Sequence, residues 1–171
     1  MDVDWLMVVF RWMHILAAIT AVGATIFMRQ ALGPAVATLS ADQQAALHDA
    51  VRKRWALYVH LSIGFLLLSG FYNFIATLRG SEFPDGSKYH MLFGIKFLLA
   101  LAIFFIASML VGRSEASSRF RQRREFWLTL NVVLAVVLVC ISGIMRFLPR
   151  TPKAAAEPPA ATAWLETNSL R

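Results

Sequence analysis

His14 is the residue with the most chemistry to explain. It lies inside WLMVVFRWMHILAAITAVGATIFM, Trp5 to Met28. At about 1.5 Å per residue that stretch is long enough to cross a hydrocarbon layer of about 30 Å. An imidazole there needs a partner or a metal, and an ionisable group within a span marks a functional site by default. Two further groups ask the same question. Lys96 lies several residues inside HMLFGIKFLLALAIFFIASMLVG, and His60 lies within WALYVHLSIGFLLLSG. A lysine held in hydrocarbon costs on the order of 2.5–3.5 kcal/mol. The apolar runs contain no Asp or Glu to pair with it. An anionic ligand would supply the missing partner. Heme or another porphyrin fits, with an imidazole for the iron and a cation either for the propionates or as second axial ligand. His14 is the first candidate for iron, with Lys96 beside it and His60 as the alternative ligand. The competing role for His60 is a hydrogen bond to Asn131 or to a backbone carbonyl.

Four spans are expected to position these groups: about Trp5–Met28, Trp55–Leu78, His90–Gly112 and Phe126–Leu148. The chain is 58% apolar and its mean hydropathy is +0.58, with charge confined to short patches between the apolar runs. That is an all-α integral membrane four-helix bundle, residues 1–148, followed by an Ala/Pro-rich tail, 149–171, expected to be disordered. Between spans one and two, SADQQAALHDAVRKR reads as a short amphipathic helix starting at Ser40, with His48 solvated on it. Pro34 is the expected kink after span one. Pro84-Asp85-Gly86 is a turn signal between spans two and three.

Lys and Arg fix the expected orientation. Loop one carries Arg29, Arg52, Lys53 and Arg54; loop three carries Arg113, Arg119, Arg121, Arg123 and Arg124. Both should face the cytoplasm, leaving both termini on the outer side. The formal charge of +7 therefore belongs to topology, and nucleic acid is excluded as a partner because basic and aromatic residues are not interleaved on a polar surface. The single cysteine, Cys140, excludes an internal disulfide and reads as a structural residue in a helix. No cleavable signal is expected, since Asp2 and Asp4 replace a basic n-region.

Depth follows from the same basic residues. His14 precedes Arg29 by 15 residues and Lys96 precedes Arg113 by 17, so on parallel-running helices the two should differ in depth by only ~3 Å. His60 and Asn131 should share a different layer, roughly 10–15 Å nearer the cytoplasm. Each group heads a stripe at helical spacing: His14, Ala18, Ala21, Thr25; Lys96, Ala100, Ile103, Ala107; Asn131, Ala135, Leu138, Ser142; His60, Gly64, Leu67, Phe71. Small residues in such stripes mean close helix packing; they would equally leave room for a flat cofactor at the bundle axis. The small-residue faces left unused inside the bundle are compatible with a homodimer.

HILAAITAVGATIF, the Ser69-Gly70 pair and HMLFGIKFLLAL with Arg113 after it resemble the four-helix membrane superfamily that contains the copper-resistance D (CopD-like) domain and the HemJ-type protoporphyrinogen oxidase. His14, Gly23 and Lys96 take the family positions, and Arg29 lies close to its arginine at the end of span one. Ala21 stands where the family usually has Trp, and MRQALGP replaces its Leu-Pro-Arg run. The resemblance covers roughly residues 5–148. It implies a multi-pass protein of the bacterial inner membrane with heme b in the bundle. In the HemJ branch it implies oxidoreductase activity on protoporphyrinogen IX, with porphyrin and quinone as partners beside the lipid bilayer. The other branch implies copper, for which Met13-His14 and His90-Met91 offer soft and imidazole donors. A bundle without cofactor, acting as an assembly subunit, is the third reading.

Overall fold

Four long helices make up the computed structural model, which describes residues 4–83 and 86–152. The protein is all-α, and each of the four is long and apolar enough to cross a membrane. Helix α1 (Trp5–Phe27) starts where the Asp4 carboxylate accepts the Met7 amide at 3.1 Å, satisfying one of the orphan donors of the first turn. It continues without a break through a π-helical turn, Met28–Leu32, into the short α2 (Gly33–Val36). Pro34 explains the turn. It has no amide hydrogen and its ring crowds the carbonyl one turn back. The helix widens ahead of it, and Gly33 N–H reaches back to Met28 O.

Helix α3 (Ala41–Gly80) runs for 40 residues. The amphipathic segment and span two were expected as separate elements; they are one helix. Nothing between Ala41 and Trp55 breaks it, and its start is fixed by Ser40, whose amide donates to Gln43 Oε1 at 3.2 Å in a capping box. The first fourteen residues carry Asp42, Asp49, Arg52, Lys53 and Arg54, so this part projects beyond the hydrocarbon and the apolar length begins at Trp55. Helix α4 spans Gly86–Val111 and α6 spans Arg124–Arg146. The basic segment between them folds as α5 (Glu115–Gln122), capped by Ser114 Oγ accepting from Ser117 N at 3.2 Å.

The four long helices pack as two close pairs, α1 against α3 and α4 against α6, joined by thinner contacts of α3 with α4 and of α1 with α6. Large apolar side chains point outward, as Leu16, Leu98 and Val139 do, while Ser62, Ser69 and Asn131 are buried. That inversion suits lipid as solvent, where interior polar groups hold helices together. Asn131 is an instance: its Nδ2 donates to Ile103 O at 3.0 Å, tying α6 to α4. At the end away from the basic loops, β1 (Ser81–Glu82) pairs antiparallel with β2 (Thr151–Pro152), with Ser81 opposite Pro152. The first residues of the expected tail are thus ordered against the α3–α4 connection. Residues 153–171, and Pro84-Asp85 of the expected turn, lie outside the described residues.

Candidate functional site

The buried polar groups lead to one place. Ser69 is fully buried on α3, and its Oγ donates to the Phe65 carbonyl one turn back. Its single proton is therefore committed. His14 Nδ1 lies 2.8 Å from the same oxygen, so the imidazole must be the donor and carry its proton on Nδ1. Nε2 is left with its lone pair. Hydrogen bonding that fixes one ring nitrogen and presents the other is how proteins orient a metal-ligating histidine. Gly70 lies against the ring: a Cβ there would sit in ordinary van der Waals contact, 3.5 Å from His14 Cε1.

His14 borders a cavity of 150 Å3 between the two helix pairs. Ala18 and Ala21 of α1, Gly70 of α3 and Lys96 and Ala100 of α4 line it as well. Lys96 is half-buried, and among the described residues no carboxylate pairs with it. The predicted common depth of His14 and Lys96 is thus realised as a shared cavity. Three of the four stripes face inward as expected: His14-Ala18-Ala21, Lys96-Ala100-Ile103 and Ala135-Leu138 all line this cavity.

Of the α3 stripe, Leu67 and Phe71 line it too, but His60 does not. His60 is exposed on the bundle surface, and its Nδ1 lies 2.6 Å from Ala56 O in its own helix. Of the roles considered for it, the backbone hydrogen bond is the one present, and Asn131 is turned to Ile103 instead. The buried face of α3 runs through Val59, Ser62 and Ser69; His60 is one residue, about 100°, out of phase with it. The structure does not bring His60 to His14. His90 is exposed and meets the Phe74 ring edge-on at 6.4 Å. Cys140 is exposed on α6.

Ser69 as His14's partner is the functional residue that residue-type reasoning passed over. Its signal was present: Ser69 follows Arg54 by 15 residues, and His14 precedes Arg29 by 15. On antiparallel helices counted from the same basic end, that puts them at one depth.

A heme can be tested against these residues. The donors fit: an imidazole anchored through Nδ1, a cation for a carboxylate, and several small side chains line the same space. The free space is below the roughly 300–1,000 Å3 of ligand pockets. Phe71 and Phe97, in edge-to-face contact at 5.5 Å, are cavity-lining rings from α3 and α4, whose mutual contact is one of the thinner ones. A macrocycle would have to part that pair.

A second, larger cleft of 920 Å3 opens at the basic end, bounded by the π turn, the projecting part of α3 and the start of α6. Here His48 is not merely solvated: the Arg124 guanidinium contacts its Nδ1, and partial burial followed by that positive charge lowers the imidazole pKa from its ordinary value. Among known proteins, no family model, curated protein or solved structure matches this chain.

Proposed function

We propose that the protein is a heme b-binding redox protein of the bacterial cytoplasmic membrane, with His14 as iron ligand and Lys96 as the partner of a heme propionate or the second axial ligand. The observation that carries the reading is that His14, hydrogen-bonded through Nδ1 to Ser69, lines one cavity with Lys96, for which the described residues offer no carboxylate. Bound there, heme would supply one-electron chemistry at a potential set by its ligands and surroundings. The chain's own residues do the rest. Ser69 holds the imidazole tautomer, Lys96 offsets anionic charge that lipid could not solvate, and the phenylalanine rings keep water from the slot. A quinone or porphyrin would reach the slot from the bilayer, which places an oxidase acting on protoporphyrinogen among the activities to assay. The basic loops one and three face the cytoplasm on this reading.

Copper handling is less well served. Its candidate donors, Met13-His14 and His90-Met91, are divided between α1 and α4, with His90 exposed against Phe74, whereas heme iron asks the protein for a single imidazole. The test is the visible spectrum of the detergent-purified protein, air-oxidised and dithionite-reduced, for wild type and His14→Ala. A Soret band and a reduced b-type α-band, both lost in the variant, are expected. Wild-type protein that stays colourless when cells receive heme precursor would overturn the reading; copper bound stoichiometrically would then favour metal handling, and its absence an assembly subunit.

A further inference from the structure

The cleft at the basic end holds more positive charge than its structural roles consume. Two of its arginines are accounted for. Arg52 pairs with Asp49, which Lys53 also meets at 2.8 Å, and Arg52 and Arg121 both donate to the Gly112 carbonyl at the C-terminal end of α4. Cations at that position offset the helix dipole and satisfy an orphan carbonyl. Three more arginines line the same space. Arg29 uses Nε on Thr129 Oγ1 at 2.8 Å, Arg124 meets the Met28 sulfur and His48 and no carboxylate among the described residues, and Arg123 is exposed. Against these three stands one further acid in the lining, Glu125.

The Arg124–His48 contact is the telling part. A guanidinium can only donate, so the imidazole meets it as an acceptor, and among the described residues no carboxylate pairs with Arg124. The guanidinium fork matches carboxylate and phosphate oxygens alike; three cations around one space suit the nearly doubly charged phosphate of a monoester better than a singly charged carboxylate, and 920 Å3 is ample for one.

We propose that this cleft is a binding site for a phosphate monoester, held between Arg29, Arg123 and Arg124, the phosphate belonging either to a soluble molecule or to a lipid headgroup. This stands independently of the heme reading, since it uses a different cavity and none of the same residues.

The full chain in phosphatidylcholine nanodiscs is titrated calorimetrically with inorganic phosphate. A parallel sample, in nanodiscs containing phosphatidic acid, is examined by native mass spectrometry for retained lipid. One saturable phosphate per chain indicates the soluble source; retention of one phosphatidic acid without phosphate binding indicates the lipid source. Either must weaken about tenfold or more in Arg29→Gln/Arg124→Gln, the loss typical of removing charge-assisted contacts, and by less in Arg123→Gln, which removes only an exposed charge. Arg113→Gln/Arg119→Gln, equal in charge and outside the cleft, must bind as wild type does. Neither ligand binding to the wild-type chain, or equal weakening in both double variants, would overturn the proposal; the second outcome would mean general attraction to a basic surface.

Discussion

Ser69 and His14 show how one hydroxyl can decide the chemistry of a ring. With its proton on the Phe65 carbonyl, Ser69 accepts from His14 Nδ1 and so assigns the lone pair to Nε2. Ser69→Ala removes that anchor while filling nearly the same space. Loss of such a supporting hydrogen bond costs roughly 10–100-fold in metal affinity. If heme binds as proposed, the variant should fold yet retain less of it under limiting supply, read as the ratio of Soret to protein absorbance. His48 gives a second residue-level expectation. Burial and then Arg124 hold its pKa below the ordinary value of 6.5. With the folded pKa depressed, the unfolded chain binds the extra proton first. The contribution to stability is therefore present above about pH 6.5 and is lost as pH falls from there through the folded value. In Arg124→Gln the imidazole should titrate at higher pH than in wild type, measured from its ring proton shifts by NMR; an unchanged titration would mean that Arg124 does not act on it.

Among the elements, the join between α4 and α5 is the tightest. A Cβ on Gly112 would fall 2.2 Å from Ser117 Oγ and 3.1 Å from the Ser108 carbonyl, and Ser117 is buried. Gly112→Ala must push α5 off the end of α4 and disturb the carbonyl that Arg52 and Arg121 share. Overpacking of this kind costs typically about 1–3 kcal/mol. The variant should melt at a lower temperature in detergent, by circular dichroism, whereas Gly64→Ala, where a Cβ meets nothing within 4 Å, should not. The elements also show which sequence signals were sufficient. Long apolar runs ending at basic patches marked all four membrane-length helices. The fusion of the amphipathic segment with span two was written in the absence of any Gly or Pro between Ala41 and Ala56. The helical form of the α4–α6 connection was foreshadowed by Ser114 and Glu115, a capping residue and an acid in the first turn.

For the whole molecule, alternation of four helices puts loops one and three together at one end, where Arg29 reaches Thr129 of α6 and Arg124 reaches His48 of α3. The β1–β2 pair joins the α3–α4 connection to the chain after α6 at the other. In a Cys140→Ser background, single cysteines at exposed Thr38 or Ser118 should be shielded from a membrane-impermeant maleimide in intact cells, and one at exposed Glu82 should be labelled. The reverse pattern would place the basic cleft outside.

By itself the sequence determined that there are four membrane-length apolar helices, because hydropathy acts along one chain. Counting from the basic ends put His14 and Lys96 at one expected level, and both line the same cavity. Rotation about the helix axes was decided by the tertiary structure. His60 and Ser69 lie on the same helix, yet only packing of α3 against α1 turned the serine inward and left the histidine on the surface. The two-pair arrangement that opens a slot between α1–α3 and α4–α6 is likewise a property of four faces at once. No single helix encodes which neighbour it will meet, because lipid is as apolar as the side chains and the choice rests on close fit and a few buried hydrogen bonds.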